Sequence, residues 1–313
     1  MIRLIIDGNN MVFRNNVMNE LYDKNGNRTS GILGTLNNIH FLLTHMYSVY
    51  KEEVSEVYMT FDAGHSKRRL EIYPEYKANR KKDQTDEELQ KKREFIEQAN
   101  SLCENLHLFG VKPIRVWGAE ADDIIYCLSE KLKEKYPNDV IFIVSTDQDF
   151  HQLIDSNVSI LNPISKDILT AENYEDKTGI PLNKFITYKI LVGDSSDGIK
   201  GIQGIGEKTA KKLVNSYESL DEMFADADTL RKSKRLARIV TEEGAEVLAR
   251  NNQLINLKDF VDKDSYEEVD KVIEEDAFVD ISLARKYVEK YYLASLLVKW
   301  DIWIAEFSSL SNL

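Results

Sequence analysis

Residues 140–150 read VIFIVSTDQDF. Five consecutive β-branched or aromatic residues are the pattern of a short strand buried on both faces. The run then meets Ser145 and Thr146 and presents Asp147 and Asp149 two positions apart. The same plan recurs upstream, where MIRLIID (1–7) stops on Asp7 and EVYMTFD (56–62) stops on Asp62. Another strand-like run, VKPIRV (111–116), is followed closely by AEADD (119–123), which carries Glu120, Asp122 and Asp123. Between these runs, Ile32, Leu36, Ile39, Leu43 and Met46 fall on one helical face, as do Ile124 or Ile125, Leu128 and Leu132. Strand alternating with helix predicts an α/β fold with a mostly parallel central sheet flanked by helices. Open sheets of this kind bind ligands at the carboxyl ends of their strands.

GDSSDG (193–198) adds Asp194 and Asp197 to the acids already found. Two carboxylates about 4 Å apart repel by about 1 kcal/mol in water and about 4 kcal/mol at an effective dielectric of 20. Gathered at one sheet edge, these acids require cations between them. Oxygen ligands without nearby His or Cys favour Mg²⁺ or Mn²⁺ over zinc. Each cluster has an ordinary alternative: a strand-end turn, or acids in a first helical turn. Their agreement points to a divalent-metal site that handles phosphate.

The formal net charge is −12, which argues against a nucleic-acid partner until its distribution is considered. Lys67, Arg68, Arg69, Lys77, Arg80, Lys81 and Lys82 crowd one segment, with Tyr73 and Tyr76 interleaved. Such mixing suits stacked bases and paired phosphates. A second run, RKSKRLAR (231–238), is basic and free of acids. Local patches rather than total charge set phosphate contacts. The two cysteines, Cys103 and Cys127, sit in helical patterns and read as reduced core residues of a cytoplasmic protein. No apolar run is long enough to span a membrane.

The segment from about 66 to 100 is charged and poor in strand formers, an excursion from the core with a helix starting at Thr85 or Asp86. The strand signal fades after about residue 183. An α/β core over 1–183 and a helical region over 184–313 are therefore expected, the latter opening on GIKGIQGIGEKTAKKL. There Gly201, Gly204 and Gly206 precede Lys208. Glu207 interrupts the Gly-Lys step a P-loop needs, and no buried strand feeds a dinucleotide fingerprint. What remains is a hairpin between two helices, at about 190–215, whose backbone N–H groups and lysines Lys200 and Lys208 approach DNA phosphates.

In order along the chain, IDGNNMVFR, TFDAG, RLEIYPEYKANR, EADD, STDQD and GDSSDGIKGIQGIGEKTA closely resemble the flap endonuclease and 5′→3′ exonuclease family. That family includes the nuclease domain of bacterial DNA polymerase I and stand-alone phage enzymes such as phage ribonuclease H. The resemblance implies a two-cation Mg²⁺ site, with Mn²⁺ as a substitute, built on Asp7, Asp62, Glu120, Asp122, Asp147, Asp149, Asp194 and Asp197. Asp123 matches as a ligand or as support for one. It implies that the excursion is an arch for a single-stranded 5′ end, with Lys77 and Arg80 contacting the scissile phosphate. Arg14, Arg69, Tyr76 and Lys189 are implied DNA contacts, and the last motif resembles a helix–three-turn–helix. Gly198 and Lys200 depart from the Asn and Pro common in the family, a change expected to loosen the turn. The implied enzyme is a monomeric, cytoplasmic nuclease (host cytoplasm if phage-encoded) acting on branched or nicked DNA and RNA–DNA duplex in replication, without a membrane partner. Two alternatives are a PIN-type single-strand ribonuclease and a branched-DNA-binding protein that does not cut.

Overall fold

The computed structural model describes residues 1–311 apart from 19, 65, 82–84 and 260–262, so Lys82 lies outside the described residues. Strands β1 (Ile2–Asp7), β2 (Val54–Thr60), β3 (Val111–Ile114), β4 (Val140–Val144) and β5 (Val158–Leu161) are parallel, and the two-residue β6 (Ile168–Leu169) runs antiparallel. Their order, β3-β2-β1-β4-β5-β6, runs outward from β1 in both directions. The switch point between β1 and β4 is where a doubly wound sheet opens a crevice. Every residue of β1 is buried, as a central parallel strand demands. Pro113 is tolerated in β3 because that strand is an edge and pairs only with β2. β5 and β6 carry no clear sequence signal, being a four-residue run and a two-residue partner.

The register explains how distant acids meet. Asp7 pairs with Thr60, and Ile6 with Val144, so β1, β2 and β4 end flush. Asp62 and Asp147 follow within three residues of those ends.

The strands alternate faces. Leu4, Ile6, Met59 and Val144 face a layer that contains α1 (Gly8–Met18) and α2 (Ser30–Tyr50). Ile5, Tyr58, Ile141 and Ile143 face the other layer. α3 (Lys67–Ile72) packs toward the second layer, and α4 (Asp86–Asn105) joins the first. Thr85 caps α4 in a reciprocal box with Glu88. Along α4 only Gln98, Ala99 and Leu102 are buried, so its early turns stand clear of the core. Gln98 rejoins it by accepting from Gly31 N at 2.8 Å, satisfying a donor in the first turn of α2.

The second layer is built on α5 (Ala121–Lys135), followed in the chain by α6 (Tyr174–Thr178), α7 (Phe185–Val192) and α8 (Glu207–Ser216). The apolar tail forms helices that close over the sheet, among them Ile281–Lys290 and Trp300–Ala305. Trp300, Trp303 and Phe307 pack with Phe109 on the α2 side of the sheet, far along the chain from the segments they cover. No described helix is long and apolar enough to cross a membrane.

Candidate active site

The acids gather at the carboxyl edge of the sheet, but they divide into three groups. Asp7, Asp62, Asp122 and Asp147 form the first. The Asp7 carboxylate accepts from Asn10 N at 3.0 Å and Ser145 Oγ at 2.9 Å. Asp62 accepts from Ala121 N at 2.7 Å and from the Asn9 side chain. Asp147 caps the 3₁₀ turn Gln148–Leu153 by accepting from Asp149 N at 2.9 Å. Burial pushes the Asp7 carboxyl up to about 7, with Asp62 and Asp147 adding repulsion. Burial, then Asp147, lifts Asp122 well above the usual carboxylate range.

The second group is centred on Glu120, the N-cap residue of α5. Its Oε2 accepts from Tyr76 OH at 2.7 Å, Arg69 Nη1 at 3.0 Å and Lys77 Nζ at 3.0 Å. Burial alone would raise this carboxyl, but Lys77 and Arg69 outweigh it and hold the group low. Arg69 also makes a two-pronged pair with Asp123, at 2.7 and 2.9 Å. Asp197 completes the cluster, accepting from Arg80 at 2.7 Å and Tyr76 OH at 3.1 Å. The arch base is tied to the same loop: Lys77 N donates to Asp197 O at 2.8 Å, and Lys77 holds a left-handed φ of 54° to do so. In the third group Lys189 bridges Asp149 and Asp194 at 2.7 and 2.8 Å.

The acids expected to grip cations thus differ in the partners they have within the chain. Among the described residues, no three His, Cys, Asp or Glu side chains are arranged, as folded here, to hold a metal ion. Of the expected ligands, Glu120, Asp123, Asp149, Asp194 and Asp197 are matched by Arg69, Lys77, Arg80 and Lys189. Among the described residues the first group makes no such ion pair, although Arg14 interacts electrostatically with Asp7 and Lys77 with Asp122. Its crowded, all-oxygen donors, with two carboxyls driven upward by burial and mutual repulsion, suit a hard divalent ion.

Arg69 and Tyr76 were expected to hold a strand, yet they are only 2% and 4% exposed. Their polar atoms orient Glu120 instead. Lys189 is also buried, although it borders a cleft of about 430 Å³ shared with Asn10, Asp147, Asp194 and Glu207. Arg80, 52% exposed at its side chain, reaches outward from Asp197. Arg14 is half-buried and interacts electrostatically with Asp7. Sequence reading missed Asn9, Asn10 and Ser145, which hold Asp62 and Asp7. Their signal was adjacency: each stands within three residues of an acid at a strand end.

The glycine segment forms the expected hairpin. β7 (Gly193–Asp194) pairs antiparallel with β8 (Ile199–Lys200), and the chain then turns into α8. Gly201 is required by close approach, because a β-carbon there would lie 2.1 Å from Val192 O. Gly198 adopts φ +73° and donates to Ser195 O at 3.3 Å, so the turn is closed rather than loosened. Gly and Asn both tolerate that left-handed conformation. Gly204, Gly206 and Lys208 lie on the exposed side, as does Lys200, whose Nζ is 3.4 Å from Glu75.

A flush acidic sheet edge, a basic segment ahead of α4 and a glycine hairpin are the features that a nucleic-acid-processing α/β enzyme would use. Family models agree over nearly the whole chain. The N-terminal resolvase-like domain of 5′-3′ exonuclease matches residues 3–179, and its C-terminal SAM fold matches residues 180–275. The chain belongs to the 5′-3′ exonuclease family, whose members are nucleases that hydrolyse phosphodiester bonds. A 5′-3′ exonuclease of Buchnera aphidicola is 32% identical over 73% of this chain and 75% of its own length. DNA polymerase I of Caldicellulosiruptor bescii is 34% identical over 74% of this chain, which spans only 26% of that enzyme. In fold, a zinc-bound T5 5′-exonuclease superposes with a TM-score of 0.72 at 22% identity, covering 88% of this chain and 99% of its own. The catalytic core of Rad2 in complex with DNA substrate gives 0.54 at 18% identity, over 92% and 87%.

Burial of the first acid group has a pH consequence. Asp7, pushed up to about 7, binds a proton in the folded state at pH values where the unfolded chain, near 3.8, has lost it. Stability must then fall as pH rises from about 4 through 7. In chelator, the thermal midpoint is expected to be higher at pH 5 than at pH 8, with Mg²⁺ restoring stability mainly at pH 8. Equal midpoints with chelator at both pH values would contradict this account.

Proposed function

We propose that this chain is a Mg²⁺-dependent, structure-specific 5′ nuclease that cuts at the 5′ ends of flaps, nicked duplexes and RNA primers during replication. The observation that carries the reading is the crowded acid group of Asp7, Asp62, Asp122 and Asp147, which makes no ion pair among the described residues, with Lys77 acting on Asp122 and Arg80 close by. Two divalent ions, Mg²⁺ or in its place Mn²⁺, would supply Lewis acidity toward water and the phosphoryl oxygens when bound there. The remaining acids, sharing Arg69, Lys77, Arg80 and Lys189 between them, frame that site. Lys77 and Arg80 would neutralise charge gathering on the transferring phosphoryl group. The hairpin around Gly204, Gly206 and Lys208 would hold duplex phosphates at a set distance from the acids and so decide where the cut falls. Specificity would come from DNA shape, since no base-reading side chains are evident.

In this reading residues 1–183 form the catalytic unit and 184–313 the duplex-holding region of a monomeric cytoplasmic enzyme. The metal-bound T5 relative and the DNA-bound Rad2 core support the reading by analogy. The test compares an end-labelled 5′ flap, an RNA-primed duplex and unstructured RNA, with and without Mg²⁺. Structure-dependent cleavage leaving a 5′-phosphate and 3′-hydroxyl is expected. Equal cutting of unstructured RNA would favour the single-strand ribonuclease reading, and undiminished cutting in excess chelator would end the metal proposal.

A further inference from the structure

The acid-free run at 231–238 has no part in the site described above. Charge runs are commonly solvated faces, but this one is fixed in place. Leu230 and Ile239, which bracket it, are buried in the helical core, so the intervening backbone cannot trail away as a tail. It is also laid against the glycine hairpin. Arg238 Nη1 donates to Gln203 O at 3.1 Å. The methylenes of Arg235 cover the Cα face of Gly204, with atoms 3.5 to 3.9 Å from where a β-carbon would stand. The turn and the run are therefore in van der Waals contact.

Within the run, Arg231 is taken up by Asp228 at 3.5 Å. Arg238 is half-buried and committed to the hairpin carbonyl. Lys232, Lys234 and Arg235 are exposed, and no acid interrupts them. In a chain of net charge −12, three adjacent exposed cations beside an exposed glycine turn are a local exception. Phosphate contacts gain from such local clustering and do not depend on total charge.

We propose that Lys232, Lys234 and Arg235, positioned by Arg238, form a second phosphate-contact surface that extends the hairpin's hold along the backbone of duplex DNA. The proposal rests on the reading of the hairpin as a duplex-binding element. It assigns the run to the sugar-phosphate backbone and not to bases, since the cations present no fixed acceptor-and-donor pattern. Because Arg235 and Gly204 pack together, the two contact surfaces move as one unit.

The experiment is binding of a fluorescent nicked duplex in chelator, measured across a series of KCl concentrations. Each lost phosphate contact lowers the slope of log affinity against log salt by about 0.9. The variant Lys232→Ala/Lys234→Ala/Arg235→Ala is expected to lower the slope by about two to three and to weaken binding by about tenfold or more at moderate salt. A control, Lys286→Ala/Lys290→Ala/Lys299→Ala, removes three exposed charges from the tail and is expected to change the slope by much less. Thermal melts verify that both variants are folded. Arg238→Ala, which frees the run from the hairpin, is expected to lose part of the same slope without removing an exposed cation. If Lys208→Ala lowers the slope while the triple variant matches its control, the hairpin reading stands and this extension is overturned. If the wild-type chain binds no duplex, both are overturned.

Discussion

Asp147→Asn is expected to reduce cleavage by about 10³-fold while leaving DNA binding within a few-fold of wild type. Asparagine retains a side-chain oxygen that can accept from Asp149 N and so keep the cap on the turn Gln148–Leu153. What it removes is a charge from the group formed with Asp7, Asp62 and Asp122, a charge that helps to raise Asp7 and Asp122. A second signature follows from the same physics. With chelator present, the variant is expected to melt at a higher temperature than wild type, because one source of buried repulsion is gone. Isothermal titration with Mn²⁺ should show weaker binding. Wild-type turnover by the purified variant would remove the acid group from the chemistry altogether.

Lys77→Ala is the other large effect, an expected loss of about 10²- to 10³-fold in the single-turnover rate. The ammonium sits 3.0 Å from Glu120 and 3.7 Å from Asp197, and it also acts electrostatically on Asp122. Glu120 keeps Arg69 and Tyr76 after the substitution, so the cluster is not left with an unpaired buried charge. The fold should survive, and the defect should appear in the rate and much less in affinity. A variant that cleaves normally once saturated with substrate, but binds it poorly, would make Lys77 a grip and not a catalytic group.

Much of the fold was legible because buried parallel strands leave a continuous apolar signature. β1, β2 and β4 were read to within a few residues from such runs. β3 was read too long, since Arg115 and Val116 extend past its last pairing with β2 at Ile114. β5 and β6 were missed for a physical reason: a strand of four residues and one of two carry too little pattern to stand out from loop. The start of α4 was legible at Thr85 or Asp86, and Thr85 is the cap, in a box with Glu88 that is purely local chemistry. The acids were legible by position at strand ends, as was the glycine hairpin by its spacing. Their pairing was not. Nothing in the spacing of Arg69, Tyr76 or Lys189 reveals that each turns inward to a carboxylate 2.7 to 3.0 Å away.

By itself, then, the sequence determined the alternation of strand and helix, the acids that close the strands and the hairpin that follows them. These depend on local periodicity, turn chemistry and charge type. Tertiary structure alone decided which acids share cations from the chain and which are left crowded together. It also decided that the run at 231–238 lies against Gln203 and Gly204. Partnerships of this kind join residues tens to more than a hundred positions apart, and they arise only when the flush register of β1, β2 and β4 and the packing of the helices bring those residues within reach.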